Sequence, residues 1–191
     1  MPPAPLGQPR IESDFIQICF VVEDLETAME DYSRIFGAGP WFLYKEPPAE
    51  EDKTRYRGKA TPMGTRVALG YAGDMMFELA SPRPGMPSIF QEVAQRNGFG
   101  LHHLGLAVRD FDSAAAALDA AGLESLHYGV TARGARCVMV QREGAPHAIE
   151  EFIEMLPASE AFYSFMKKCA AEWDGVSLVY DGPAPSDIIL K

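Results

Sequence analysis

Four polar side chains stand in largely apolar stretches of this sequence and offer chemistry. They are Gln17 in "FIQICFVV", Glu78 in "MMFELA", His103 in "LHHLGLAV" and Glu154 in "EFIEMLP". A buried carboxylate without a partner is costly, so it is normally neutralised, ion-paired or bound to a metal. Two carboxylates, one imidazole and one amide supply three oxygen donors and one nitrogen donor. This set suits a divalent cation that keeps open positions for water or substrate.

An internal repeat relates these four residues to one another. The order strand–helix–strand–strand–strand occurs twice, and the helix-capping Asp24 and Asp110 lie 86 positions apart. That shift lays "FIQICFVVED" on "LHHLGLAVRD" and sets Gln17 against His103. A shift of 76 lays "FEL" on "IEM" and sets Glu78 against Glu154. Two βαβββ units cannot each bury a sheet face alone, but side by side they form one curved sheet around a shared cavity.

The elements follow from periodicity and from turn residues. β-branched and aromatic runs predict the strands, and apolar residues at spacings of three and four predict the helices. Segment 47–62, which is polar and has prolines at both ends, predicts a long loop, and Ser159 predicts the start of a final helix. The fold class is therefore α+β, with these parts: a flexible arm 1–13, a first module 14–82, a linker 83–99, a second module 100–157, and a C-terminal helix and tail 158–191.

Alternation along a strand selects between the adjacent His102 and His103. Successive side chains point to opposite faces, so only one of the two rings is expected in the cavity. His103 is chosen because it shares a face with Gly105 and Ala107, which leaves His102 as a packed or surface residue. Two arginines, Arg133 and Arg136, are candidates to hold a carboxylate or phosphate at the cavity mouth.

Composition narrows the class of partner. The net charge of −10 argues against nucleic acid and against an anionic membrane surface. No apolar run approaches the ~20 residues of a membrane helix, and the proline-rich N-terminus lacks the order of a signal peptide. Three widely spaced cysteines form neither a disulfide framework nor a CxxC pattern. We expect a cytoplasmic protein whose partner is a small-molecule substrate.

Both halves resemble the vicinal-oxygen-chelate superfamily, which includes glyoxalase I, methylmalonyl-CoA epimerase, extradiol dioxygenases and bleomycin-resistance proteins. The likeness rests on "FVVEDLETAMEDYSRIFGAGPW" with "MFELASP" and on "HHLGLAVRDFDSA" with "FIEMLP", and it covers roughly residues 14 to 157. The resemblance implies two paired modules in a curved mixed sheet. It also implies one metal ligand from the first strand and one from the last strand of each module. These positions are Gln17, Glu78, His103 and Glu154, a set similar to that of some glyoxalase I enzymes and close to that of the epimerase.

The sequence thus favours an enzyme that uses one divalent metal ion, whether Zn, Mn, Ni, Co, Fe or Mg. Such an ion chelates adjacent substrate oxygens and stabilises an enolate, while Glu154 or Glu78 moves the proton in a glyoxalase-like lyase, isomerase or epimerase step. One alternative is a metal-free binding protein of the bleomycin-resistance type. Another is an extradiol dioxygenase, which Gln17 disfavours because that class has a histidine there. A homodimer is implied by the resemblance alone.

Overall fold

The computed structural model describes residues 11–44, 53–141 and 149–182. Within these ranges the chain forms ten strands and four helices. They are β1 Asp14–Val21, α1 Leu25–Phe36, β2 Phe42–Tyr44, β3 Thr54–Tyr56, β4 Lys59–Ala60, β5 Thr65–Ala72, β6 Met75–Pro82, α2 Ile89–Asn97, β7 Gly100–Val108, α3 Phe111–Ala120, β8 Glu124–Val130, β9 Arg136–Gln141, β10 Ile149–Glu154 and α4 Pro157–Ala171. No helix in these ranges is long and apolar enough to cross a bilayer.

All ten strands belong to one mixed sheet with the order β2-β5-β6-β1-β7-β10-β9-β8-β3-β4. In each module the first and last strands pair in parallel, β1 with β6 and β7 with β10, and β1 joins β7 in antiparallel fashion. The sheet curls so far that its two ends come together. The Tyr44 hydroxyl near one edge accepts a hydrogen bond of 3.2 Å from the backbone amide of Ala132, which follows β8 near the other edge. The α+β fold of two βαβββ modules around a cavity is confirmed.

The two crossover helices begin in the same way, as the repeat predicts. Asp24 accepts a hydrogen bond from the Thr27 amide, and Asp110 accepts one from the Ser113 amide. Each carboxylate satisfies an amide that has no partner within its own helix. The last helix differs from the sequence prediction, since α4 begins at Pro157 rather than after Ser159. Proline suits a first helical position because its fixed φ is helical and its missing N–H is not needed there.

Two segments without predicted elements turn out to be structured. The linker 83–99 contains α2, and the described part of the loop 47–62 contains the hairpin β3-β4, which extends the sheet beyond β8. Arg57 in the hairpin turn bonds Glu92 of α2 at 2.9 and 3.0 Å and Glu124 of β8 at 2.5 Å. These ion pairs give Arg57, a basic residue of the predicted loop, a structural role that requires no ligand.

The two modules meet most closely where β1 crosses β7. Gly105 pairs with Gln17 across this seam, and a Cβ atom at position 105 would lie 2.8 Å from the Cβ of Gln17. Real Cβ atoms do not approach so closely, so only glycine fits there. The absence of a side chain on β7 therefore gives Gln17 its position on the cavity wall.

We expect Gly105→Ala to lower the free energy of unfolding by about 1–3 kcal/mol, because the added methyl group forces the two central strands apart. Urea unfolding followed by circular dichroism measures this. An unchanged midpoint would show that the seam yields without cost.

Candidate metal site

The site is built from the four central strands of the sheet, one residue from each. Gln17 lies on β1, Glu78 on β6, His103 on β7 and Glu151 on β10. Glu78 pairs in register with Cys19, and Glu151 pairs in register with Gly105. Because Cys19 and Gly105 correspond under the 86-residue repeat, Glu78 and Glu151 occupy equivalent positions in the two modules.

These four side chains are buried and close together. Their exposed fractions are 3% for Gln17, 8% for Glu78, 2% for His103 and 6% for Glu151. The Gln17 amide donates a hydrogen bond to Glu78, and His103 Nε2 lies 3.2 Å from a Glu151 oxygen. One donor atom from each of Glu78, His103 and Glu151 falls within 4.8 Å of the other two. Among the described residues, neither carboxylate forms an ion pair with a lysine or arginine.

Glu154, the residue that the sequence places in this set, lies on the other face of β10. Its carboxylate bonds the Arg136 guanidinium at 2.7 and 3.0 Å and the Arg136 amide at 3.1 Å. Alternation along the strand explains the difference, since positions 151 and 154 differ by an odd number and face opposite ways. Glu151 shares the cavity face with Ile153. The structure therefore brings Gln17, Glu78 and His103 together with Glu151, not with Glu154.

His102 is a packed residue, as the sequence predicts, but its ring lies on the same side as the ring of His103 and not on the opposite side. The pairing of β1 with β7 passes from His103 to Leu101 and skips His102, which is a β-bulge. The bulge brings His102 Nδ1 to 2.8 Å from His103 Nδ1 and stacks the ring on Phe90 of α2. One of the two nitrogens must donate and the other accept. When His103 donates through Nδ1, its Nε2 keeps a free electron pair.

The equivalent carboxylates differ in acidity because their neighbours differ. Burial raises the pKa of Glu78 to about 7, since the charges of nearby groups only partly offset desolvation. Burial also opposes ionisation of Glu151, but His103 and His127 lower the pKa of that carboxyl below its ordinary value. The same carboxylate raises the pKa of His103 despite the burial of the ring.

The cluster lies against a cavity of about 100 Å³. Most of the wall is apolar, with Met63, Val67, Leu69, Phe90, Met139 and Ile153. Polar groups on the wall outside the cluster of proposed ligands include Tyr44, His127, Arg133 and Tyr163. Burial lowers the pKa of His127 to about 4, so this ring is neutral at neutral pH. The sequence carried no signal for His127, and His147, the other unassigned histidine, lies outside the described residues.

The residues present fit a divalent cation. His103 Nε2 is buried and has no hydrogen-bond partner despite the carboxylate beside it. A ring nitrogen without a partner beside two carboxylates is what a shared ion would satisfy, and metal–ligand distances of about 2.0–2.2 Å are compatible with donor atoms that lie within 4.8 Å of one another. A second group, Cys19 with His102 and His103, is less suitable, because burial raises the pKa of the Cys19 thiol well above its ordinary value and disfavours the thiolate ligand.

Comparison with known proteins agrees with this architecture. Residues 16–140 match the Glyoxalase/Bleomycin resistance protein/Dioxygenase superfamily, and the chain belongs to this family. The solved structures that it resembles include a hypothetical protein from Bacillus halodurans, at 18% identity and a TM-score of 0.57 over 76% of this chain and 96% of that one. They also include methylmalonyl-CoA epimerase from Mycobacterium tuberculosis, at 20% identity and a TM-score of 0.57 over 77% of this chain and 91% of that one. No curated protein matches the chain.

The ion pair of Glu154 leads to a prediction about stability. Arg136 lowers the pKa of Glu154 below its ordinary value of 4.5. The pair therefore stabilises the fold fully above about pH 5 and loses its effect as the pH falls through the folded-state pKa. Because the Arg136 side chain is 32% exposed, we expect Glu154→Gln to cost only about 1 kcal/mol at pH 7, and this cost should decrease as the pH falls below 4.5. Thermal unfolding over this pH range tests this, and a cost that does not decrease would contradict it.

Proposed function

We propose that the protein is a metal-dependent enzyme that moves a proton on a carbon atom next to a carbonyl group of a small substrate, in an isomerase, epimerase or glyoxalase-like lyase step. One observation carries this proposal. Two buried carboxylates line the cavity and lie beside the buried imidazole of His103, and among the described residues no lysine or arginine pairs with either carboxylate. A binding pocket for neutral molecules has no need of such a costly arrangement.

Glu78, His103 and Glu151 would hold the ion, with the Gln17 amide as a fourth ligand after rotation of its oxygen toward the cluster. When bound, a divalent cation supplies Lewis acidity toward adjacent substrate oxygens and stabilises negative charge on them. His102 fixes the ring of His103 through their paired Nδ1 atoms. A residue that hydrogen-bonds a metal ligand and fixes its orientation in this way typically increases metal affinity.

The unequal acidity of the two equivalent glutamates assigns their roles. A general base or acid works best when its pKa lies near the working pH, and in the site without an ion burial raises the pKa of Glu78 to about 7. Glu151 stays ionised beside His103 and serves as a ligand. Two carboxyl groups whose environments separate their pKa values are a recurrent sign of acid–base work. Of the two glutamates that the sequence offers as proton-moving residues, we therefore keep Glu78 and not Glu154. In this role Glu78 would have to loosen from any bound ion to accept the proton.

The structural neighbours support the reaction class. Several are methylmalonyl-CoA epimerases, and one of them was solved with methylmalonyl-CoA and NH4+. We carry from them only an epimerase-type proton transfer, since at this level of identity the likeness extends to the fold. The metal-free binder and the dioxygenase receive no comparable support. The first leaves the buried carboxylates unexplained, and Gln17 stands where the second requires a histidine.

We expect protein purified without chelator, or reconstituted after metal removal, to bind about one equivalent of a divalent ion. His103→Ala and Glu151→Gln should each lose it, because the first removes a buried ligand nitrogen and the second removes a negative charge that balances the ion. Glu154→Gln should retain it, because Glu154 faces Arg136 on the opposite side of β10. Elemental analysis of gel-filtered samples measures the metal content.

The paired variants make this measurement decisive, since Glu151→Gln and Glu154→Gln are the same substitution three positions apart on one strand. Loss of metal in Glu154→Gln with retention in Glu151→Gln would restore the ligand set expected from sequence. Folded wild-type protein that binds none of Zn, Mn, Ni, Co, Fe and Mg would contradict the proposal.

We further expect the metal-loaded wild type to exchange a carbon-bound proton of an acyl thioester such as methylmalonyl-CoA with deuterated solvent. Glu78→Gln should slow this exchange by about 100-fold or more, per bound metal ion, because the general base is gone. Proton NMR follows the exchange. Full exchange by Glu78→Gln with metal in place would remove Glu78 from this role, and no exchange by the metal-loaded wild type would count against proton transfer to this substrate.

A further inference from the structure

We propose that Arg133 forms a carboxylate-binding subsite in the same cavity, so that the substrate is a small molecule carrying a carboxylate in addition to the oxygens that reach the metal cluster. This inference rests on the proposed function, because it specifies the substrate class of that site. The inference adds a positively charged binding group, the Arg133 guanidinium, to the proposed metal ligands of the same cavity.

Arg133 is held in a well-defined turn between β8 and β9. The Thr131 amide donates to the Ala135 carbonyl at 2.8 Å, and the Gly134 amide donates to the Thr131 carbonyl at 2.8 Å. The guanidinium carbon lies 4.0 Å from the centre of the Phe162 ring of α4, and the side chain lines the cavity. The guanidinium is therefore fixed by packing before any ligand arrives.

Two of the three nitrogen atoms of this guanidinium have no acceptor in the described protein, although the group also hydrogen-bonds Tyr163. Its Nε and Nη1 atoms are buried and have no hydrogen-bond partner. The contact with Phe162 uses the face of the guanidinium, whereas the N–H groups point outward in its plane. A buried donor without an acceptor costs free energy, and the cost is higher for a charged group. An anionic acceptor in the cavity would remove this cost.

Arg136, three positions further along, provides an internal comparison. Its guanidinium has Phe111 against one face, at 4.6 Å, and its N–H groups bond Glu154 and Asp112. Both arginines were candidates for holding an anion, but Arg136 already has two carboxylates of the protein. Among the described residues no carboxylate pairs with Arg133.

The charge distribution of the cavity favours an anion at Arg133. At the cluster, a divalent ion would be balanced by Glu78 and Glu151, so that end would be neutral overall. The nearby Tyr44 and Tyr163 are neutral hydroxyls, because burial raises the pKa of each. A guanidinium on a largely apolar wall then offers a fixed positive charge in a medium of low polarity, where its attraction for a carboxylate is stronger than in water.

The test compares matched ligands that differ only in the second carboxylate. The probes are 2-oxosuccinate, 2-oxoglutarate and 2-oxoadipate, each paired with the 2-oxo monocarboxylate of the same chain length, titrated calorimetrically into metal-loaded protein. We expect at least one dicarboxylate to bind tenfold or more tightly than its partner. Arg133→Met should abolish that preference and leave the affinity for the monocarboxylate within twofold, while Arg133→Lys should restore part of it.

Arg34→Met serves as the control, since Arg34 is exposed on α1 and lies outside the cavity wall; it should leave the preference unchanged. Metal content and thermal unfolding are measured on every variant, so loss of metal or of fold is seen separately. If the protein binds no metal, the proposed function fails, whereas a preference that depends on Arg133 would still support the subsite. Equal binding within all three pairs, a preference that survives in Arg133→Met, or no binding of any probe overturns the inference.

Discussion

The burial of two carboxylates beside one imidazole is the constraint on which the structure depends. Glu78 and Glu151 lie on equivalent strands of the two modules, and His103 is the only basic side chain of the described residues that pairs with either. A proton on His103 offsets part of the negative charge. A divalent cation would offset it fully, and metal binding normally displaces protons from its ligands in this way. A site of this kind destabilises the fold, so it requires a large apolar sheet whose burial offsets the loss.

The topology explains how the chain assembles this site. Parallel pairing of the first and last strands within each module, and antiparallel pairing of the two first strands, bring β6, β1, β7 and β10 side by side. Every proposed ligand comes from one of these four strands, so rigid hydrogen-bonded backbone sets their spacing. The internal repeat places Glu78 and Glu151 at equivalent positions, but the groups around the two carboxylates differ. His103 favours the charge on Glu151, whereas burial has the largest effect on the pKa of Glu78. One glutamate is thereby suited to hold an ion and the other to exchange a proton.

The sequence predicted the fold, the repeat and three members of the cluster, because apolar periodicity and the helix caps recur in both halves. It did not identify Glu151, since "EEFIEM" contains carboxylates on both faces of one strand and only the pairing register tells which face is covered. His102 was misplaced because a β-bulge breaks the alternation, and a bulge depends on the partner strand. The hairpin β3-β4 was missed because its short, polar strands are stabilised by Glu92 and Glu124, which are distant in sequence. Local sequence patterns thus predicted the helices and strands, whereas long-range strand pairing determined which side chains face the cavity.

The cavity combines two buried carboxylates, an apolar lining and a guanidinium that has no carboxylate partner among the described residues. A substrate of the proposed enzyme would have to present oxygens to the cluster while it fills a small, mostly apolar space. The most direct test of the central claim is a crystal structure of the protein soaked with its preferred divalent ion, with anomalous diffraction collected at the absorption edge of that ion. Our account predicts a single strong peak in the cavity, within coordination distance of Glu78, His103 and Glu151. The absence of a peak there, or a peak beside Glu154, would contradict it.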